Sequence, residues 1–156
     1  MTMATRREQV TPTDDEVIRQ LLVEIRLLEG SVRIIQSRYE VIQAALRETL
    51  IANSTLEGIK EKAKGTETLV PIGADSYVRA GISDSEKVIM GVGAGVSMEK
   101  KIDDSIAELK SREADLQKVK ISLQQQLTQT VARLEDDRAR LNELLRKKTG
   151  ENVEVV

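Results

Sequence analysis

Residues 66–97 read TETLVPIGADSYVRAGISDSEKVIMGVGAGVS, and this stretch decides the fold. It holds short apolar runs, ETLVPIG, SYVRAGI, KVIMGVG and AGVS, broken at Gly73-Ala74-Asp75, Ile82-Ser83-Asp84-Ser85 and Gly93-Ala94-Gly95. Runs of this length between turn-forming residues predict two β-hairpins. A module of about 30 residues cannot enclose a core and leaves unpaired strand edges. Leu69, Val70, Ile72, Tyr77, Val78, Ile82, Val88, Ile89, Met90 and Val92 are therefore expected to meet strands of other subunits, most simply in a closed barrel.

Outward from this centre, both flanks carry a heptad rhythm, from Pro12 to Lys64 and from Ser97 to Lys148. On the first flank the seam is Ile18, Leu21, Ile25, Leu28, Val32, Ile35, Tyr39, Ile42 and Leu46, continuing through Thr49 and Asn53 to Leu56. On the second it is Ile102, Ile106, Leu109, Glu113, Leu116, Lys120, Leu123, Leu127, Thr130, Leu134, Asp137, Leu141 and Leu144. Neither stripe is buried by its own helix, and each is the most economical partner for the other. The expected fold is mainly α: a long antiparallel helical hairpin, a coiled coil, whose helices (12–64 and 97–149) are joined by a β module (66–96), with a short tail (150–156). Each helix would run about 75 Å at 1.5 Å per residue.

End signals support this division. Thr11 before Pro12, or Thr13 with Glu16 as a capping box, starts the first helix, and Asp14, Asp15 and Glu16 complement its dipole. Lys60, Lys62 and Lys64 before Gly65 end it; Ser97 is the expected cap of the second, which stops at Lys147, Lys148, Thr149 and Gly150. With Gly81 as midpoint, the predicted register pairs Leu21 with Leu141, Leu28 with Leu134, Ile35 with Leu127, Tyr39 with Leu123, Leu46 with Leu116 and Leu56 with Ile106. Thr49 then faces Glu113, Asn53 faces Leu109 and Lys120 faces Ile42. Polar seam residues of this kind fix register. Asp137 opposite Ile25 predicts a loosened layer.

Composition narrows the function. The 156 residues include no Cys, His, Trp or Phe and only two Tyr, so thiol and imidazole ligands and the commonest general base are missing. No catalytic, metal or cofactor site is expected. Twenty-four basic and 26 acidic residues, interspersed, give a net charge of -2, which is no footprint for nucleic acid. No apolar run is long enough for a membrane span, and the start MTMATRREQV is polar; a soluble cytoplasmic protein is expected. Gly91-Val92-Gly93-Ala94-Gly95 is G-x-G-x-G, not the dinucleotide fingerprint G-x-G-x-x-G, and its glycines fit a bulge where a sheet turns.

Residues 66–104, and above all TLVPIG, S-Y-V-R and KVIMGVGAGVSMEK, resemble the central region of archaeal prefoldin alpha subunits. Two hairpins match the alpha type better than the beta type. The resemblance implies a hexamer of two alpha-type and four beta-type subunits joined through β-barrels. It implies ATP-independent holding of non-native polypeptides at coiled-coil tips, and their delivery to a group II chaperonin. Geometry places the tip at Val17, Ile18, Leu21, Leu22, Ile25, Leu141, Leu144 and Leu145. Of the apolar residues there, Val17, Leu22, Val23, Leu27 and Leu145 lie off the seam. They are ordinary surface residues, the seat of a third helix, or a sticky tip to which Val153, Val155 and Val156 would add. The alternative function is a coiled-coil adaptor or tether that assembles through its β module.

Overall fold

The computed structural model describes residues 13–151. Thr11, Pro12 and the tail valines 153, 155 and 156 lie outside them. The element order is α1 (Asp14–Lys60), β1 (Glu67–Gly73), β2 (Ser76–Gly81), β3 (Lys87–Gly93), β4 (Val96–Lys101) and α2 (Ile102–Glu151). The mainly α fold with two hairpins between two long helices is as the periodicity requires. The described chain forms two compact units, one through Arg38 and from Leu123 onward, the other Tyr39–Ser122.

In the first unit α1 and α2 run antiparallel. Asp15 pairs with Lys148, Glu24 with Arg133, and Glu29 with Arg138 at 2.6 Å. Leu21, Ile25, Leu123 and Leu134 are buried between the helices, and Ile18, Leu28, Val32, Ile35, Leu127, Thr130, Leu141 and Leu144 are half-buried. All of these are seam positions. The expected loosening is local: Ile25 stays buried, while Asp137 holds one carboxylate oxygen buried without a hydrogen-bond partner among the described residues. At the start of α1 the Thr13 amide donates to the Glu16 carboxylate at 3.0 Å, half of the capping box.

In the second unit the antiparallel pairing repeats, with Lys60 to Asp103 at 2.6 Å and Glu57 to Lys110 at 2.9 Å. The buried residues are Leu46, Thr49, Asn53, Met90, Ile102, Ser105, Ile106 and Leu109. A narrow groove lined by Ala45, Thr49, Ala52, Leu109 and Leu116 sets residues 45–52 beside 109–116, in keeping with the predicted register. Polar seam residues find partners in two ways. The Thr49 hydroxyl donates to the Ala45 carbonyl at 2.8 Å, within its own helix. The Lys120 ammonium lies 5.9 Å from the Tyr39 ring centroid, a cation–π contact one turn from its expected neighbour Ile42. Asn53 Oδ1 and Ser105 Oγ are buried with no such partner among the described residues.

Two helix ends differ from expectation, and at both the backbone hydrogen-bonds to or beside a hairpin instead of continuing the helix. α2 begins at Ile102, not Ser97, because residues 97–101 complete β4: Ser97 pairs with Gly91, Met98 with Met90 and Lys101 with Lys87. The Ile102 amide then donates to the Glu86 carbonyl at 2.8 Å. α1 stops at Lys60, and residues 61–64 form a turn instead of helix. Gly65, at φ 86°, donates to the Ile82 carbonyl at 2.7 Å, tying this turn to the end of the first hairpin.

Each hairpin is a separate two-stranded antiparallel sheet, β1 with β2 and β3 with β4. Both close on two residues in the left-handed region, Ala74 and Asp75 in one (φ 49° and 54°), Ala94 and Gly95 in the other (φ 50° and 76°). Positive φ at both corner residues matches the right-handed strand twist. Register slips between Pro71 and Gly73 and again between Gly91 and Gly93 place a bulge just before each corner.

Candidate functional site

The β module presents apolar side chains to solvent on both hairpins. Leu69, Val70, Ile72, Tyr77 and Val78 of the first, and Ile89 and Val92 of the second, are exposed, with Ile89 at 81%. Ile82 and Val88 are half-buried. Met90 departs from the expected assembly set: at 9% exposure it turns inward and belongs to the chain's own core. Its cross-strand neighbour Met98 is 48% exposed, and Val96 57%. Neither stands in the expected assembly set: Val96 lies in the run AGVS, and Ser97 as a helix cap leaves Met98 outside the strands, although the alternation V-S-M-E-K is the available signal. Beside β3 lies an open groove of about 430 Å³, lined by Leu56, Val88, Met90, Gly91, Leu109 and Arg112. All strand edges of this unit are two-stranded and unpaired on the far side.

Charged contacts brace the module. The Lys100 ammonium donates to the Glu108 carboxylate at 2.5 Å, linking β4 to α2. That hydrogen bond, with the charges of Lys100 and Arg112, holds Glu108 below the ordinary carboxylate value of 4.5. Asp84, in the loop between the hairpins, is likewise lowered, chiefly because its Oδ1 accepts the Glu86 amide at 2.7 Å, and also the Lys87 amide at 3.2 Å. Lys60 is raised by its hydrogen bond to Asp103. A carboxyl whose folded pKa is depressed stabilises the fold above its ordinary value, and that contribution vanishes as pH falls through the folded value. Glu108→Gln is accordingly expected to lower the melting temperature at about pH 6 and to lower it progressively less as pH falls below the ordinary carboxylate value, as scanning calorimetry would read. An equal loss at every pH would assign the effect to packing.

In the first unit the expected tip residues separate into two groups. Leu21 and Ile25 are buried at 4% and 8% in the seam, and Ile18, Leu141 and Leu144 are half-buried there. Leu22 and Leu145 are open at 43% and 44%, joined by Val23 and Leu27; Val17 is half-covered. The structure thus offers Leu22 and Leu145 directly, and Leu21 and Ile25 only where the helices part. The Asp15 to Lys148 pair ties the start of α1 to the end of α2, and hydrogen bonding to Lys148 lowers the Asp15 carboxyl. Among the described residues no helix is long and apolar enough to cross a membrane.

The prefoldin subunit family matches residues 28–147. The chain is 34% identical over 110 residues to prefoldin subunit alpha of Methanopyrus kandleri, covering 70% of each chain. It is 30% identical to prefoldin subunit alpha of Methanococcoides burtonii, over 80% of this chain and 91% of that one. Among solved structures, the prefoldin beta subunit from Thermococcus strain KS-1 shares the fold, with a TM-score of 0.55 at 16% identity, over 83% of this chain and 92% of that one. One family thus spans both hairpins and most of both helices, and its alpha subunits resemble this chain over most of their own length. The chain belongs to the prefoldin family, a family of chaperone subunits and not of enzymes.

Proposed function

We propose that this chain is the alpha-type subunit of an ATP-independent holdase, a hetero-hexamer with beta-type subunits that grips non-native polypeptides and passes them to a group II chaperonin in the cytoplasm. The observation that carries the reading is the division of apolar surface. The hairpins hold exposed Leu, Val, Ile and Tyr side chains on unpaired strands, suited to assembly. Leu22 and Leu145 stand open beside a seam already filled by Leu21 and Ile25, suited to weak apolar contact. The working residues are Val17, Ile18, Leu21, Leu22, Ile25, Leu141, Leu144 and Leu145 for the client, and the exposed apolar residues of the two hairpins, without Met90, for the partner. Capture at several such ends at once would raise affinity by avidity and permit release without chemical work.

The test is light scattering of a denatured protein diluted into the co-purified complex without ATP. Suppressed aggregation near equimolar complex is expected, and suppression should fall several-fold with Leu22→Ser plus Leu145→Ser in an intact oligomer. Aggregation at the rate of a mock control, with the oligomer intact, would sink the holdase reading and leave the adaptor.

A further inference from the structure

The face of α1 that points away from the seam carries a second heptad stripe. Val23, Leu27, Gly30 and Ile34 follow steps of four, three and four, the same rhythm as the seam but displaced by two residues, or roughly 200° around the helix. Its three apolar members are 57%, 67% and 56% exposed. Single surface leucines need no explanation, but a stripe with the spacing of a coiled-coil seam is built for a helix. Gly30 adds an independent mark. A glycine inside a helix costs about 1 kcal/mol relative to alanine, and apart from its chain neighbours and its own turn of helix backbone nothing among the described residues lies within 4 Å of where its Cβ would be. No contact within the chain asks for its smallness; close approach of another backbone would. The corresponding face of α2 in the same unit is Gln125, Gln129, Ala132, Asp136, Ala139 and Glu143, with no large apolar residue.

Charge indicates the occupant. Arg26 and Arg33 border the stripe on one side and Arg38 on the other, and none of the three enters an ion pair among the described residues. The acids that would balance them locally, Glu24 and Glu29, are already held by Arg133 and Arg138. A basic-flanked apolar stripe thus stands on a chain whose net charge is -2. We infer that this face docks an acidic amphipathic helix of a partner protein, with apolar residues at heptad spacing against Val23, Leu27 and Ile34 and carboxylates against Arg26, Arg33 and Arg38. This is register-specific binding of a helix, distinct from the loose capture of unfolded chains proposed for Leu22 and Leu145.

The experiment uses the full chain with its co-purified partner and a fluorescent three-heptad peptide, leucine at its seam and glutamate on both flanks, read by anisotropy. A second peptide has lysine in place of glutamate. The acidic peptide should bind, the basic one should not, and binding should weaken as salt rises. Leu27→Gln with Ile34→Gln should weaken the acidic peptide about tenfold, and Arg26→Glu with Arg33→Glu should reverse the preference between the two peptides. Leu22→Ser with Leu145→Ser should leave peptide binding unchanged while reducing client capture, so that the two proposals fail separately. Equal binding of both peptides, or no change on charge reversal, overturns the inference. Concentration-dependent self-association abolished by Ile34→Gln would also overturn it, in favour of a second copy of this chain.

Discussion

Ile72→Asp together with Ile89→Asp is expected to abolish assembly with beta-type subunits while leaving both helices formed. The two isoleucines are 67% and 81% exposed in the single chain, so neither supports the chain's own core. Covering a branched apolar side chain is worth about 1.5–3 kcal/mol, so losing two removes about 3–6 kcal/mol of association free energy. A buried carboxylate without a partner costs several kcal/mol more. Every 1.4 kcal/mol is tenfold in affinity, so the apolar loss alone is a factor above about 100. Light scattering coupled to size exclusion of the co-expressed subunits should show the complex replaced by smaller species with unchanged helical circular dichroism. A complex of undiminished mass would remove these two residues from the interface.

Leu109→Ala is expected to destabilise the fold by about 2–3 kcal/mol, the low end of what removing a buried leucine costs. Leu109 is 6% exposed and is the buried leucine that lines both the groove beside β3 and the narrower one along residues 45–52. Space already adjoins it on two sides, which lets water enter the enlarged cavity. Leu50, 43% exposed on the same stretch of α1, supplies the comparison: Leu50→Ala should change stability by less than about 1 kcal/mol. Denaturant melts of the assembled protein would read both, and equal effects would show that burial in the single chain is no guide to its energetics.

The seam was legible almost residue by residue because a coiled coil encodes burial in spacing alone. Every position assigned to it, polar ones included, is buried or half-buried. The hairpin corners were equally plain, since Gly73, Asp75, Gly93 and Gly95 tolerate the backbone that a two-residue turn requires. The start of α2 was not. Ser97 has the chemistry of a cap, and only its pairing with Gly91, a contact between strands, reveals it as β4. Met90 shows the same limit at the site. Period two places it on one face of β3 but does not say which face meets the helices. The separation of exposed Leu22 from buried Leu21 follows from the heptad.

The two tyrosines give the molecule an optical property that follows from where they sit. Tyr39 is half-buried in the seam beneath Lys120 and donates no light that a tryptophan could intercept, because the chain has none. Tyr77, on the first hairpin, is 60% exposed and stands among the residues proposed to meet a partner. Tyr39 therefore reports on the closure of the helices and Tyr77 would report on the proposed joining of subunits, and substituting either with phenylalanine isolates the other. Above the tyrosine excitation band this chain is dark, so a tryptophan in anything it holds would be the signal, unobscured by this subunit.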